Sequence, residues 1–498
     1  MERSVTVNKI GGANMSKLDQ VLNLVRSLRE EGETPILVVS AFKGVTNKLY
    51  DMLDQLHDTD YEEADIDRAF QPALDIIKGK IDEFFKTEEH KKMAYSHVLR
   101  EIQIVKNVLR MHKRVSNVLA PQAATYEARD KVIAFGERSV IGVLEAFLQE
   151  NRVMAEAVND VEFHANGGSR TSKEDLHEGI QEGIATKLKE VMHGWDEEVL
   201  ILGGHIKGTP RGMTVDIGRS YSDTTAVDVT AALSHHMGFY VDKTVMWKEV
   251  DGVMSADPRQ LDLTINTPIV HEDVSYDEAF EMAGSGSQLM QIDALRLGWE
   301  MGIPLVLKNI DRPKGVGTTF GRSWPQTAAP FKVVMANRNV DAVSYKIPQM
   351  ANQPGFLHAM TGLFDQEDVS VTDIFSSGIV VGFSVNLPSD EADQKVLRAK
   401  IRRINRAMEN LVVHGKGYAC TIEWHKGDAN LVLVGDELKQ NRGVFSRITS
   451  VLAEEGINIR ATTQTHAERR ISFMIPKGFA EKAVQALHRE FLDQKKGA

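Results

Sequence analysis

Two stretches of this chain carry residue types suited to charged ligands. The first is Lys9-Ile10-Gly11-Gly12. A lysine beside a glycine turn sets a cation and close backbone N–H groups at one point, which can neutralise a transferring phosphoryl group. A solvated lysine beside an ordinary turn is the competing reading. The second stretch runs from Gly218 to Arg259. It opens Gly218-Arg219-Ser220-Tyr221-Ser222-Asp223-Thr224-Thr225 and continues through Trp247-Lys248-Glu249-Val250-Asp251-Gly252 to Ala256-Asp257-Pro258-Arg259. Ser222 and Asp223 stand before the apolar run Thr224 to His236 and read as N-cap residues of a helix whose free N–H groups face phosphate. Asp223, Glu249 and Asp257 are hard oxygen donors of the kind magnesium prefers. Arg219 offers a planar fork to a carboxylate. A strand–turn–helix with a solvated charged turn competes with this reading.

The elements that must position these residues alternate between strand and helix. Ser4 to Ile10 alternates apolar and polar residues and predicts a strand. The helical spacing of Leu18, Val21, Leu22, Val25 and Leu28 follows, with Ser16 and Asp19 as a capping-box-like start and Gly32 at the exit. Pro35 to Ala41 is an apolar run suited to a buried parallel strand. Ligands in such βαβ units sit at the carboxyl ends of the strands, the edge that would hold Lys9, Gly11, Gly12, Ser40 and Thr46. The glycine turn is neither a Walker sequence nor a dinucleotide fingerprint.

Tyr61 to Leu119 is charge-rich with apolar positions at helical spacing and predicts a helical insert, about residues 58–130. Val132-Ile133-Ala134-Phe135-Gly136-Glu137-Arg138-Ser139 then opens a helix through Leu148. Glu137 could take a substrate ammonium group, or simply complement the helix dipole in a first turn. Strands are expected over Met154 to Phe163, Glu198 to Leu202, Phe239 to Trp247 and Pro304 to Asn309. Helices are expected over Ser172 to His193, Tyr276 to Ala283 and Ser287 to Gly302, and a hairpin at Pro210 to Val215. Gly203-Gly204-His205 is a further carboxyl-end loop, and Lys248-Glu249 reach the same edge. This alternation predicts an α/β domain over residues 1–322, an open sheet sandwiched by helices.

Residues 323–332 have linker composition. Beyond them the order β-α-β-β-α occurs twice, over about 333–413 and 414–498, the layout of two ferredoxin-like α+β modules.

Composition narrows the function. The 498 residues are too many for one core. The net charge of -11 argues against nucleic acid as a main partner. The single cysteine, Cys420, excludes an intramolecular disulfide framework and fits a reducing compartment. No apolar run is long enough to span a bilayer, and the start lacks a signal-peptide core, so a cytoplasmic protein without a membrane partner is expected.

The motifs together resemble the aspartokinases, which join an amino-acid kinase fold to tandem ACT domains. Lys9-Ile10-Gly11-Gly12 is similar to their Lys-Phe-Gly-Gly start. Val38-Val39-Ser40-Ala41-Phe42-Lys43-Gly44-Val45-Thr46-Asn47 is close to their second-strand signature, and Phe135-Gly136-Glu137-Arg138 to their Gly-Glu helix start. Gly218 to Ala226 resembles their Gly-Arg-Gly-Gly-Ser-Asp motif, and Val250 to Arg259 their nucleotide loop. The resemblance spans nearly the whole chain. Ala13-Asn14 stands where Thr-Ser is usual, Lys248-Glu249 where Thr-Asp is commoner, and Gln288 where a lysine usually helps hold nucleotide. Lys248-Glu249 and Ser255-Ala256-Asp257-Pro258 are similar to the ectoine-associated branch.

The resemblance implies ATP-dependent phosphorylation of the L-aspartate β-carboxylate, with Mg2+ carried by ATP rather than by a protein metal site. It implies catalytic roles for Lys9 and Asp223. Arg219 would clamp the substrate α-carboxylate and Glu137 its ammonium group, supported by Ser40, Thr46 and Ser222. Gly11, Gly12, Lys248, Glu249, Met254, Asp257 and Arg259 would frame the nucleotide. Val371, Thr372 and Asp373 would belong to an amino-acid effector pocket, or only to a packed strand end. A homodimer or larger homo-oligomer is expected. A non-catalytic amino-acid or nucleotide sensor, or a kinase of the same fold acting on another carboxylate, is the alternative.

Overall fold

A computed structural model describes residues 4–493 except 57–60, 116–120, 165–171, 194–197, 219–220, 288, 323–328, 389–390, 437, 439–440 and 465–468. The chain divides into two compact units. One is Met1–Gly252 with Met290–Arg322, and the other is Val253–Leu289 with Ser323–Ala498. The expected continuous segment 1–322 therefore gives residues 253–289 to the second unit.

The first unit is built on a mainly parallel sheet. Its strands within this unit are β1 (Ser4–Ile10), β2 (Glu33–Val39), β3 (Ala155–Val158), β4 (Val199–Gly203), β5 (Thr244–Lys248), β6 (Leu305–Asn309) and β7 (Thr318–Gly321), in the order β3-β4-β2-β1-β5-β6-β7. β1 pairs in parallel with β2 on one side, Lys9 opposite Val38, and with β5 on the other, Lys9 opposite Met246. β7 runs antiparallel to its neighbour β6. The chain leaves β1 toward β2 and later returns to β1's other side, so a crevice opens at the carboxyl end of β1.

The helices of this unit are α1 (Leu18–Glu30), α2 (Val45–Gln55), α3 (Glu63–Phe84), α4 (Glu88–Val115), α5 (Pro121–Glu150), α6 (Lys173–Val191), α7 (Ser222–Ala231) and α8 (Ile292–Met301). α1 buries Leu18, Val21, Leu22, Leu24, Val25 and Leu28 on the sheet, as its spacing predicts. Fully burying each such side chain is worth about 1.5–3 kcal/mol. Its start differs from the expectation. A separate turn, Gly12–Met15, precedes it, and Ser16 spends its hydroxyl on Gly12 O (3.1 Å) and on the N–H of Lys43 (2.9 Å).

Three more expectations change. The helix carrying Glu137 does not open within Val132 to Ser139; α5 already runs from Pro121, so Glu137 is mid-helix and the first-turn reading fails. Val132, Phe135, Val140, Val143 and Leu144 are all fully buried there. A helix buried all round shows no amphipathic period to read. The Pro210 to Val215 hairpin is a one-turn helix, Met213–Asp216, with Asp216 bonded to the N–H and guanidinium of Arg211, both at 2.9 Å. α7 begins at Ser222 with Tyr221 as its N-cap, so Ser222 and Asp223 do not cap it. It continues into a π-turn at Ala232–His236.

The second unit holds two four-stranded antiparallel sheets whose strands interleave in sequence. Val340–Lys346, Asp373–Ser376, Val380–Asn386 and Thr421–His425 form one sheet; Val333–Asn337, Asp428–Val434, Ala461–Thr463 and Arg470–Pro476 form the other. The strand at 333–337, expected in the first module, pairs instead with Asp428–Val434, Val333 opposite Val434. The strand at 421–425, expected in the second, pairs with Val340–Lys346, Tyr345 opposite Ile422. Of the expected linker, residues 323–328 lie outside the described part. Phe331 is fully buried in the core with Leu431 and Phe473, and Lys332 makes a buried ion pair with Glu278 at 2.8 Å. This pair, with the core positions Ala256 and Leu261, ties segment 253–289 to this unit.

Candidate active site

Four strand ends meet at one rim of the first unit's sheet. β1 delivers Lys9 and the turn Gly11-Gly12, β2 delivers Ser40, β4 leads into Gly204-His205, and β5 delivers Lys248 and Glu249. α5 and α7 add Glu137 and Ser222-Asp223. A cavity of about 430 Å³ lies there, lined by Lys9, Gly11, Gly12, Asn14, Ser40, Lys43, Thr46, Glu137, Tyr221, Ser222, Asp223, Lys248 and Glu249 among others. That volume is in the range of small-molecule sites.

Close backbone approach builds the rim. A Cβ on Gly12 would lie 2.5 Å from Ala41 O, and one on Gly204 would lie 2.5 Å from Ser222 Cβ. Any larger residue would push β1 from the β2 loop, or the β4 loop from α7. Ser40 and Ser222 bond through their hydroxyls at 2.6 Å. Asn14 Nδ2 donates to Trp247 O at 3.2 Å, tying the glycine turn to β5.

The electrostatic centre is Asp223. Its carboxylate contacts Lys9 Nζ and lies 3.3 Å from Lys248 Nζ. Burial alone would raise the Asp223 carboxyl, but Lys9 and then Lys248 hold it well below the usual carboxylate range. Burial lowers the Lys9 ammonium, which the Asp223 charge partly offsets. Two cations thus share one anion, leaving the cluster with an excess positive charge toward the cavity. Burial pushes the Glu137 carboxyl up to about 8, although Lys9 and the backbone N–H groups of His205 and Gly204 favour its ionised form. Glu137 Oε2 is buried with no hydrogen-bond partner. Such an orphaned acceptor suits a ligand's donor.

The structure thus brings together Lys9, Gly11, Gly12, Ser40, Thr46, Glu137, Ser222, Asp223, Lys248 and Glu249. Glu249 also pairs with Lys17 at 3.0 Å. Arg219 and Gln288 lie outside the described residues. Met254, Asp257 and Arg259 belong to the second unit. There Asp257 caps the short helix Pro258–Gln260 and grips the Arg259 guanidinium at 2.7–3.1 Å. Among the described residues no group of three or more His, Cys, Asp or Glu side chains could hold a metal ion.

Val371 and Thr372 are half-buried. Asp373 is buried at the meeting of the two C-terminal sheets. It accepts from Arg470 at 2.5 Å, Asn430 at 2.8 Å, Ser384 at 3.0 Å and Ser472 at 3.2 Å. Its carboxylate is satisfied by protein donors.

Sequence reasoning passed over Asn14 as a tie to β5, Tyr221 as cavity wall, and Asp130. Asp130 fell within the expected helical insert but bonds His205 Nε2 at 2.7 Å. Only the placement of His205 on a carboxyl-end loop was readable.

Among the described residues no helix is long and apolar enough to cross a membrane. Residues 4–309 match the amino acid kinase family, and residues 431–491 match the ACT domain. The chain is 25% identical to aspartokinase 1, chloroplastic, of Arabidopsis thaliana, over 99% of this chain and 81% of that protein. It is also 25% identical to an aspartate kinase of Gibberella moniliformis, over 98% of both. Its fold superposes on E. coli aspartokinase III in complex with aspartate and ADP with a TM-score of 0.70 at 20% identity, covering 98% of this chain and 99% of that one. The same enzyme in complex with lysine and aspartate gives 0.71 at 20% identity, covering 98% and 100%. The sheet topology, the charged rim and the family match over most of the chain agree: it belongs to the amino acid kinase family and has the aspartokinase fold, with an ACT domain toward its C-terminus.

Proposed function

We propose that this chain is an aspartate kinase, transferring the γ-phosphoryl group of ATP to the β-carboxylate of L-aspartate. A β-carboxylate oxygen attacks the γ-phosphorus, the bond to the β,γ-bridging oxygen breaks, and ADP and β-aspartyl phosphate leave. The nucleophile is already an anion, so the chemistry needs charge neutralisation and alignment rather than a strong base. The observation that carries this reading is the Lys9–Asp223–Lys248 cluster facing the cavity beside Glu137 Oε2.

Lys9, held by Asp223, meets the charge developing on the phosphoryl oxygens. Glu137 Oε2 receives the substrate ammonium group, and Arg219 its α-carboxylate. Ser40, Thr46 and Ser222 line the acceptor end. Gly11, Gly12, Lys248 and Glu249 face the phosphates. Asp223 is already engaged by two lysines, so the nucleotide enters as its own magnesium complex. The two C-terminal sheets act as ACT modules that bind an amino-acid effector near Val371 and Thr372 and pair two copies of the chain. The relatives named above, all aspartokinases, support the assignment.

Hydroxylamine traps acyl phosphates as hydroxamates. With ATP, magnesium and aspartate the wild type yields hydroxamate, and Lys9→Ala yields little. Absence of hydroxamate from the wild type at every aspartate concentration overturns the assignment.

A further inference from the structure

Behind Glu137 lies a second pair of residues that the phosphoryl-transfer reading does not use. Asp130 of α5 and His205 of the loop after β4 are both buried from solvent around their contact, Nε2 to Oδ2 at 2.7 Å. The same loop packs on Glu137: a Cβ on Gly203 would lie 3.4 Å from Glu137 Cβ and 3.8 Å from its Oε2, and the backbone N–H groups of Gly204 and His205 favour the ionised Glu137 carboxyl. The far end of the loop is held by Lys207, whose N–H donates to Val161 O at 2.9 Å. At residue 204, Gly204 O accepts from Thr225 Oγ1 at 2.7 Å, and Gly204 Cα packs against Ser222. Those two contacts fix residue 204. Residue 205 is held by the imidazole–carboxylate contact, with its ring edge-on to Tyr221 at 6.3 Å between centroids.

We propose that the His205–Asp130 pair is a positioning device: it pins the loop after β4 so that both N–H groups stay directed at Glu137, and so sets the site's selectivity for a substrate bearing an ammonium group. The link to substrate rests on the aspartate-kinase reading; the pinning itself does not. A carboxyl held by two backbone donors ionises more readily than one left without them. If the pin is lost, the donors drift, and Glu137 stays protonated to higher pH. A protonated Glu137 cannot pair with an ammonium group, so the cost falls on substrate binding rather than on the transfer step. Among the described residues, the charged or titratable groups around Glu137 include Lys9 from β1, Asp130 from α5 and Tyr221 from the turn before α7, and Arg138, Asp160 and Lys207 share a cavity lining with it.

Asp130→Asn and Asp130→Leu separate the pin from the charge. Both remove the Asp130 charge, but only Leu removes the acceptor for His205. The full chain is assayed for aspartate KM and kcat between pH 6 and 9. KM falls as pH rises through the Glu137 ionisation. The expected limb for Asp130→Leu lies about one pH unit above that for Asp130→Asn, an approximately tenfold difference in KM near neutral pH, with kcat at saturation within about twofold. Alongside, the Glu137 carboxyl is titrated by NMR in substrate-free protein labelled with 13C in its glutamate side chains, with Glu137→Gln assigning the signal. Identical Glu137 titrations in the two Asp130 variants overturn the pinning. A titration difference without a KM difference keeps the pinning and removes Glu137 from the substrate reading. Should Asp130→Leu not fold, His205→Phe against His205→Asn makes the same comparison, since only Asn keeps a side-chain donor.

Discussion

The hydroxyls of Ser40 and Ser222 lie 2.6 Å apart, joining the end of β2 to the first turn of α7 across 182 residues of sequence. One hydrogen bond thus fixes the separation of two walls of the cavity. A buried bond of this kind contributes about 0.5–1.5 kcal/mol net, and an abandoned partner costs more. Ser40→Ala and Ser222→Ala should each raise aspartate KM, and the double variant should cost less than their sum. A double-mutant cycle on kcat/KM measures this; additive effects would mean that the two hydroxyls act separately.

Lys9 and Lys248 share Asp223, but only Lys9 is buried among the four rim strands. Removing a preorganised charge from a phosphoryl-transfer site costs about 10²–10³ in kcat. Lys9→Met should show that loss with aspartate KM changed only a few-fold, in single-turnover hydroxamate formation. A change confined to KM would place Lys9 in ground-state binding instead.

Asp223→Asn should behave differently. It leaves two ammonium groups facing a neutral amide in a buried place. Removing one partner of a buried pair costs about 3–5 kcal/mol. The expected outcome is loss of activity together with a lower Tm, partly recovered in Asp223→Asn combined with Lys248→Met. Calorimetry on the three variants checks it.

The Glu137 carboxyl, at about 8, gives a pH dependence of known sign. In the unfolded chain it ionises near the ordinary value of about 4.3. Below that value both states hold the proton and its contribution is fully present. As pH rises toward 8 the folded state keeps a proton that the unfolded state has lost, so stability falls through that window. Glu137→Gln cannot titrate. Its Tm relative to wild type should therefore climb between pH 5 and pH 8, at roughly 2–4 °C for each kcal/mol. A gap that stays flat across that range contradicts a buried, proton-holding Glu137.

In the second unit, the Asp373–Arg470 contact at 2.5 Å joins the two C-terminal sheets. Arg470→Met leaves Asp373 buried without its cation and should destabilise this unit by about 3–5 kcal/mol, whereas Asp373→Leu with Arg470→Met should recover most of that. Hydrogen exchange over the strands 373–376 and 470–476 reads the difference locally. Equal protection in wild type and Arg470→Met would make the pair energetically silent.

The alternation of Ser4 to Ile10, the amphipathic face of α1 and the apolar run of β2 were legible because residue polarity follows the local element, although the structure buries Val5 to Ile10 without a break. Lys9, Gly11 and Gly12 could be placed at a ligand edge for the same reason: a strand's carboxyl end is a local fact. α5 was misread at its start because Val132 to Glu137 and Ser139 to Leu144 are buried in unbroken runs, so no exposed stripe marks a face there. Ser222 and Asp223 looked like caps because cap propensity is local, whereas their actual partners, Ser40, Lys9 and Lys248, come from distant strands.

The sequence by itself determined the residue types at the rim, the alternation of strands and helices, and the duplicated C-terminal pattern. The tertiary structure decided which anion the two lysines share, that Glu137 keeps a buried oxygen without a donor, and that His205 is tied to Asp130. It also decided that the strands at 333–337 and 421–425 exchange sheets. Strand propensity is set within a segment. Strand partners, and the desolvation that moves a proton, are set by what the rest of the chain brings alongside.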